Sequence, residues 1–233
     1  MSNLIYSGKE LELFSCAGNW KSYWSSRILP YIGGRILEVG AGIGSNTRLL
    51  CKENVERWIC LEPDAKLAAR ISTSLSKDED TSCCELIIGT LRDLSEYDSF
   101  DTILYIDVLE HIKDDKSELE LALMHLERDG KLIVLSPAHN WLFSKFDEAI
   151  GHYRRYDKRM LKELVPGPYR LLKLEYLDSF GLLISLFNSM ILRSGSPSRK
   201  QIQIWDSFVV PLSRLMDKAS RFRLGKSILG VWD

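Results

Sequence analysis

Short runs of apolar residues, each too brief to be a helix, recur along the first 140 positions with amphipathic stretches between them. Arg35-Ile-Leu-Glu-Val-Gly40, Arg57-Trp-Ile-Cys-Leu-Glu62, Glu85-Leu-Ile-Ile-Gly89, Asp101-Thr-Ile-Leu-Tyr-Ile-Asp107 and Lys131-Leu-Ile-Val-Leu-Ser136 read as strands. Ser45 to Asn54, Ala65 to Leu75 and Asp114 to Glu127 read as helices, the last with Leu119, Leu123 and Leu126 at helical spacing. Strands that are apolar along their whole length must be covered on both faces. Alternating with helices, they predict βαβ units and a parallel α/β sheet. The tail adds a strand over Tyr169 to Leu177, a helix over Phe180 to Leu192 and a basic loop from Arg193 to Lys200. A helix over Val209 to Phe222 and a last strand over Ser227 to Trp232 complete it. Residues 138–160 form a long connection, and long connections in compact domains are usually functional.

A chain of 233 residues with 45% hydrophobic and 27% charged residues suits one globular domain, which excludes disordered, collagenous and coiled-coil classes. The net charge of −1 does not advertise nucleic-acid binding, but its distribution is uneven. Residues 1–149 carry 16 Lys/Arg against 25 Asp/Glu, whereas residues 150–233 carry 15 against 7, so the last third is suited to an anionic partner. The five cysteines are an odd number without a C-x-x-C pair. They read as reduced thiols, and nothing in their spacing suggests a zinc cluster. The N-terminus lacks the apolar core of a signal peptide, and Phe180 to Leu192 is too short to span a bilayer. The expectation is a cytoplasmic protein.

Glu38-Val-Gly40-Ala-Gly42-Ile-Gly44 follows a predicted strand and opens a predicted helix. Glycines there allow a tight turn and a close backbone approach to a ligand. The dinucleotide fingerprint would require glycine where Ser45 stands, and Glu38 would repel a pyrophosphate but suit a cofactor with a positive charge. Glu62, 18 residues past Gly44 at the end of the second strand, is placed to accept the two hydroxyls of a ribose.

These residues resemble the class I S-adenosylmethionine-dependent methyltransferases. The E-x-G-x-G-x-G motif stands complete at 38–44, the ribose-binding acid matches Glu62, and the D-V-L-E-H that often follows the fourth strand matches Asp107 to His111. The opening of the fifth strand matches Gly130-Lys131-Leu132-Ile133, so the resemblance spans about residues 18–140. It implies a doubly wound seven-stranded sheet with the last strand antiparallel. It also implies S-adenosyl-L-methionine as cofactor, S-adenosyl-L-homocysteine as product, and no metal. The expected organisation is an N-terminal helical lid over 1–34, a cofactor-binding core over 35–140 and a substrate-side region over 141–233. Cofactor contacts are expected at Tyr23, Glu38, Gly40, Ala41, Gly42, Gly44, Asn46, Glu62, Pro63, Thr90, Leu91, Asp107 and Val108. One departure bears on adenine: many members carry an acid after the third strand, where this chain has Gly89-Thr90-Leu91, so the Thr90 hydroxyl and the Leu91 amide are the expected substitutes.

Methyl transfer is an in-line displacement at an activated sulfonium methyl and needs chiefly alignment in a dry site. Where the acceptor arrives protonated a base is required, and His111 is the candidate. Tyr23 is expected to lid the cofactor, with its hydroxyl at the methionyl carboxylate. In Gly151-His-Tyr-Arg-Arg-Tyr156, His152, Arg154, Arg155 and Tyr156 are the expected substrate contacts. Forked guanidiniums suit an acceptor with a carboxylate or phosphate, although pairing with neighbouring acids would equally brace the loop. The expected function is methyl transfer to a small molecule. Nucleic-acid base methylation lacks its N/D-P-P-Y/F loop and Pro-Cys nucleophile, and catechol-type metal chemistry lacks its acidic cluster. The alternatives are a non-catalytic cofactor-binding partner module, a nucleotide-dependent oxidoreductase, which Glu38 and Ser45 oppose, and an enzyme acting on a lipid-linked substrate. The last would bring the apolar tail helix and its basic neighbours to a membrane surface.

Overall fold

In the computed structural model, which describes residues 9–51, 55–75, 82–165, 167–191 and 197–233, seven strands form one sheet in the order β3-β2-β1-β4-β5-β7-β6. The strands are β1 (Gly34–Val39), β2 (Val55–Glu62), β3 (Cys84–Ile88), β4 (Phe100–Ile106), β5 (Leu126–Pro137), β6 (Leu171–Leu177) and β7 (Ser227–Trp232). The pairings from β3 through β5 are parallel, and β7 runs antiparallel between β5 and β6. Every predicted strand is present, and the sheet is the doubly wound methyltransferase type that the motifs imply.

Period-two alternation sends neighbouring side chains to opposite faces. Ile36, Leu104 and Ile133 join one buried layer, and Leu37, Ile103 and Leu132 join the other. The first layer packs α2 (Gly18–Ile28) through Trp20 and Trp24, α4 (Ala65–Leu75) through Ile71, and α10 (Val210–Ala219) through Val210. The second packs α5 (Asp115–Met124) through Leu119 and Leu123, and α7 (Lys158–Leu164) through Leu161. Preceding α2 is α1 (Lys9–Ser15), while α6 (Lys145–Ala149) lies in the long connection after β5.

Several stretches differ from expectation. The helix foreseen over Asp114 to Glu127 ends at Met124, and Leu126, expected on its apolar face, opens β5 instead. The helix foreseen over Ser45 to Asn54 is only α3 (Thr47–Leu50), because the glycine turns occupy its start and Cys51 is already extended; residues 52–54 lie outside the described part. Helix α8 (Ser179–Ile191) matches its prediction, whereas Leu192 and the first half of the basic loop, residues 193–196, lie outside the described residues. Lys200 is helical rather than looped. Helix α9 (Arg199–Ile204) runs into α10 through a widened turn at Trp205–Val209, where the Val210 N–H reaches the Trp205 carbonyl five residues back. The wide turn directly precedes Pro211, which has no N–H to donate.

Candidate functional site

The strand order reverses between β1 and β4, and in open α/β sheets the carboxyl edge at such a point is where ligands bind. The chain leaves β1 there through Gly40, Gly42 and Gly44, whose φ angles are +67°, +62° and +73°. A Cβ at Gly40 would sit 2.7 Å from Val108 Cγ2, so the turn closes directly on the tip of β4. A Cβ at Gly42 would sit 3.3 Å from Leu11 Cδ1, so α1 lies on the loop, and Glu12 pairs with Arg70 of α4 at 3.0 Å.

Glu62, buried at the end of β2, accepts from the Gly42 N–H at 2.8 Å and the Asp64 N–H at 2.9 Å. Burial pushes its carboxyl up, against those two bonds. Gly40 and Ala41 both donate to the Leu61 carbonyl, at 2.8 and 3.2 Å. Glu62 thus braces the glycine loop, and each carboxylate oxygen keeps a lone pair for a ligand. Pro63 is exposed beside it, Ala41 is buried, and the Asn46 carbonyl accepts the amides of Leu49 and Leu50 at the start of α3.

Glu38 meets neutral donors rather than an open site. It is buried and accepts from Thr47 Oγ1 at 2.5 Å and Trp58 Nε1 at 3.0 Å, fastening β1 to α3 and β2, and burial pushes it up to about 7. The nearby cation is Lys21 of α2, lowered by burial against the attraction of Glu38 and Asp107. Sequence reasoning passed over Lys21, although Trp20 and Trp24 mark the buried face beside it. Asp107 holds a left-handed φ of 55°, rare for a non-glycine residue, and its N–H donates to the Leu135 carbonyl at 2.8 Å.

Several expected contacts are redirected. The Tyr23 hydroxyl donates to Asp217 of α10 at 2.6 Å instead of facing a ligand, and burial raises it. The Thr90 hydroxyl and amide both donate to Asp93, at 3.0 and 2.8 Å, closing a capping turn; Leu91 is buried within that turn. The acid of this turn is Asp93, three residues after Thr90. Arg154 pairs with Asp115 and donates to the Lys113 carbonyl at 2.6 Å, while Arg155 is buried in a fork on Asp147 with both bonds at 2.9 Å. Tyr156 points inward, donating to Asp115 at 2.7 Å. These three residues brace the loop rather than present an open anion site: Arg155 takes Asp147, one of the neighbouring acids that the sequence offered, whereas Arg154 and Tyr156 take Asp115, about 40 residues away, which it did not.

His111 and His152 do come together at the crevice, ring centroids 4.5 Å apart and edge to face. Burial pushes His111 down to about 4, leaving a neutral imidazole and a weak proton acceptor. His152 Nδ1 lies 3.0 Å from Asp147 Oδ1. Two groups among the described residues have metal-ligand chemistry: Glu110 with His111 and His152, and Cys51 with Cys83 and Cys84. Cys51 Sγ is 3.3 Å from Cys83 Sγ and 3.5 Å from Cys84 Sγ, a thiol cluster that the sequence spacing did not suggest.

The seven-stranded sheet, its glycine turn and the acid after β2 define a class I methyltransferase fold. Residues 37–132 match the family model described as a methyltransferase domain. In structure the chain is similar to the YcgJ protein of Bacillus subtilis, at 17% identity with a TM-score of 0.60, covering 91% of this chain and 97% of that one. It is also similar to coclaurine N-methyltransferase bound to N-methylheliamine and S-adenosylhomocysteine, at 12% identity with a TM-score of 0.62, covering 93% and 72%. In sequence, 120 residues are 25% identical to the tRNA U34 carboxymethyltransferase of Aeromonas hydrophila, covering 49% of this chain but only 37% of that relative's length. Over residues 37–132 the chain is thus similar to methyltransferase domains, and its fold is similar to that of coclaurine N-methyltransferase.

Proposed function

We propose that the protein transfers a methyl group from S-adenosylmethionine to a small-molecule acceptor in the crevice between the β1 and β4 tips. The observation that carries this reading is Glu62, buried under the glycine loop with lone pairs left for ribose hydroxyls. The three glycine turns bring backbone rather than side chains toward the same edge. Lys21 supplies the positive charge for the methionyl carboxylate, and Asp107 a carboxylate for its ammonium. Asp93, the acid of the turn after β3, would take the adenine amino group. The reaction needs donor and acceptor held in line, and α1, whose Leu11 lies over Gly42, would act as the lid that keeps water out. Because Arg154 and Arg155 are paired, an anionic acceptor is no longer favoured. The test is calorimetric titration with S-adenosylmethionine, followed by a screen of metabolite pools for turnover to S-adenosylhomocysteine. Tight binding with turnover supports the reading; binding without turnover on any pool favours a non-catalytic partner module.

A lipid-linked acceptor is favoured by a second observation. Ile204, Phe208, Leu212 and Leu215 recur on one face of α9–α10 and are 58%, 68%, 46% and 69% exposed. Arg199, Lys200 and Lys218 flank them, and apolar residues beside cations suit an anionic interface. No described helix is long and apolar enough to cross a membrane. Flotation with anionic vesicles tests surface binding: loss of association in Phe208→Ser with Leu215→Ser supports it, and no association at low salt ends it.

A further inference from the structure

We propose that Glu110, His111 and His152 form a binding site for one divalent first-row metal ion, open to the methyl-transfer crevice. Glu110 is fully buried beyond the tip of β4. Its Oε2 accepts from Ser136 Oγ at 3.0 Å, and its Oε1 has no hydrogen-bond partner. A buried carboxylate oxygen without a donor is costly unless something positive faces it. The group that faces it is His152 Nε2, at 3.9 Å. That separation is too long for a hydrogen bond. It suits two atoms that each stand about 2.1 Å from a shared ion.

The imidazole is already aimed. Asp147 holds His152 Nδ1 at 3.0 Å, and Asp147 is itself fixed by the Arg155 fork and by Ser144 Oγ at 2.6 Å. A carboxylate on one ring nitrogen leaves the other directed at a ligand, the arrangement that orients metal-binding histidines. The ligand atoms of Glu110, His111 and His152 all fall within 4.8 Å of one another. The backbone enforces the convergence: Gly151 turns at a φ of +85°, and the Tyr153 N–H donates to the Glu110 carbonyl at 2.8 Å. Thus the loop after β5 is pinned against the tip of β4. The paired Arg154 and Arg155, expected to bind substrate, become the bracing for this centre.

Two imidazoles and one carboxylate suit Zn²⁺, Mn²⁺ or Fe²⁺ better than Mg²⁺, which prefers oxygen ligands and its own waters. Three protein ligands leave positions open. Resting on the methyl-transfer reading, the open positions face the acceptor and would hold one bearing a ligating oxygen or nitrogen. This departs from the metal-free expectation drawn from the sequence.

The experiment is titration of chelator-treated, full-length protein with MnCl2, followed by the loss of the free-ion electron paramagnetic resonance signal, then displacement by ZnCl2. One saturable Mn²⁺ per chain is expected, with affinity lowered at least tenfold in both Glu110→Gln and His152→Ala. Cys83→Ser with Cys84→Ser should leave it unchanged, because Mn²⁺ disfavours thiolates. Each variant is also titrated with S-adenosylmethionine, whose binding reports an intact fold. Should Glu110→Gln fail to fold, Asp147→Asn replaces it and should weaken Mn²⁺ through the loss of His152 orientation. Absence of saturable binding, or unchanged affinity in folded variants, overturns the site and assigns the space beside Glu110 to water or a proton. Wild-type protein that binds S-adenosylmethionine but not Mn²⁺ rejects the metal alone, whereas failure to bind S-adenosylmethionine rejects the methyltransferase reading.

Discussion

The Glu62 carboxylate accepts the Gly42 amide at 2.8 Å across the turn that leaves β1, so one side chain sets the loop and stands ready for a ligand. Hydrogen bonds to a charged group are worth about 1.5–3 kcal/mol. Glu62→Ala should therefore weaken S-adenosylmethionine by roughly tenfold to a hundredfold in calorimetry. Unchanged affinity in a folded variant would remove Glu62 from the site.

Gly40 has no room for a side chain. Its φ of +67° and the 2.7 Å approach to Val108 Cγ2 mean that Gly40→Ala strains the backbone and pushes the β4 tip away. Thermal unfolding should show a loss of about 1–3 kcal/mol, together with weaker cofactor binding. A variant with wild-type melting would contradict the close packing of the two tips.

Lys21 gives a prediction that sequence reading did not supply. Lys21→Met keeps the buried stem and removes the charge, so affinity for S-adenosylmethionine should fall, whereas affinity for adenosine, which lacks the methionyl carboxylate, should not. Equal losses for both ligands would place Lys21 elsewhere in the binding energy.

Glu38 predicts a pH dependence of stability. Burial raises its folded pKa to about 7, above the ordinary 4.5, so the folded state holds a proton that the unfolded state releases. Stability from this group is greatest below the unfolded value and is lost as pH rises toward 7. In Glu38→Gln, which cannot ionise, denaturant unfolding should lack that decline between pH 4.5 and 7. An identical slope in wild type and variant would show that Glu38 does not titrate in this range.

Asp206, in the widened turn between α9 and α10, accepts the Trp20 N–H at 2.8 Å and the Asn19 N–H at 3.1 Å, capping α2 from 186 residues away. Asp206→Ala leaves those donors unsatisfied and should cost about 1–2 kcal/mol of stability. If chemical denaturation shows no loss, water has replaced the cap.

The strands were legible because a strand covered on both faces must be apolar throughout, and the glycine turn was legible because only glycine enters those left-handed φ angles without strain. The acid after β2 followed from its spacing to that turn. Partnership was not legible. Arg154 and Tyr156 find Asp115 about 40 residues away, Tyr23 finds Asp217 and Trp20 finds Asp206 across almost the whole chain, and Cys51 meets Cys83 and Cys84 only when β3 is laid beside β2. Sequence by itself determined the period of each element and the positions where backbone must turn, since both are local properties of side-chain shape and polarity. The tertiary structure decided which charges are spent on one another and which polar atoms, like Glu110 Oε1, are buried without a hydrogen-bond partner, because Coulombic and hydrogen-bond energies depend on distances that only packing fixes.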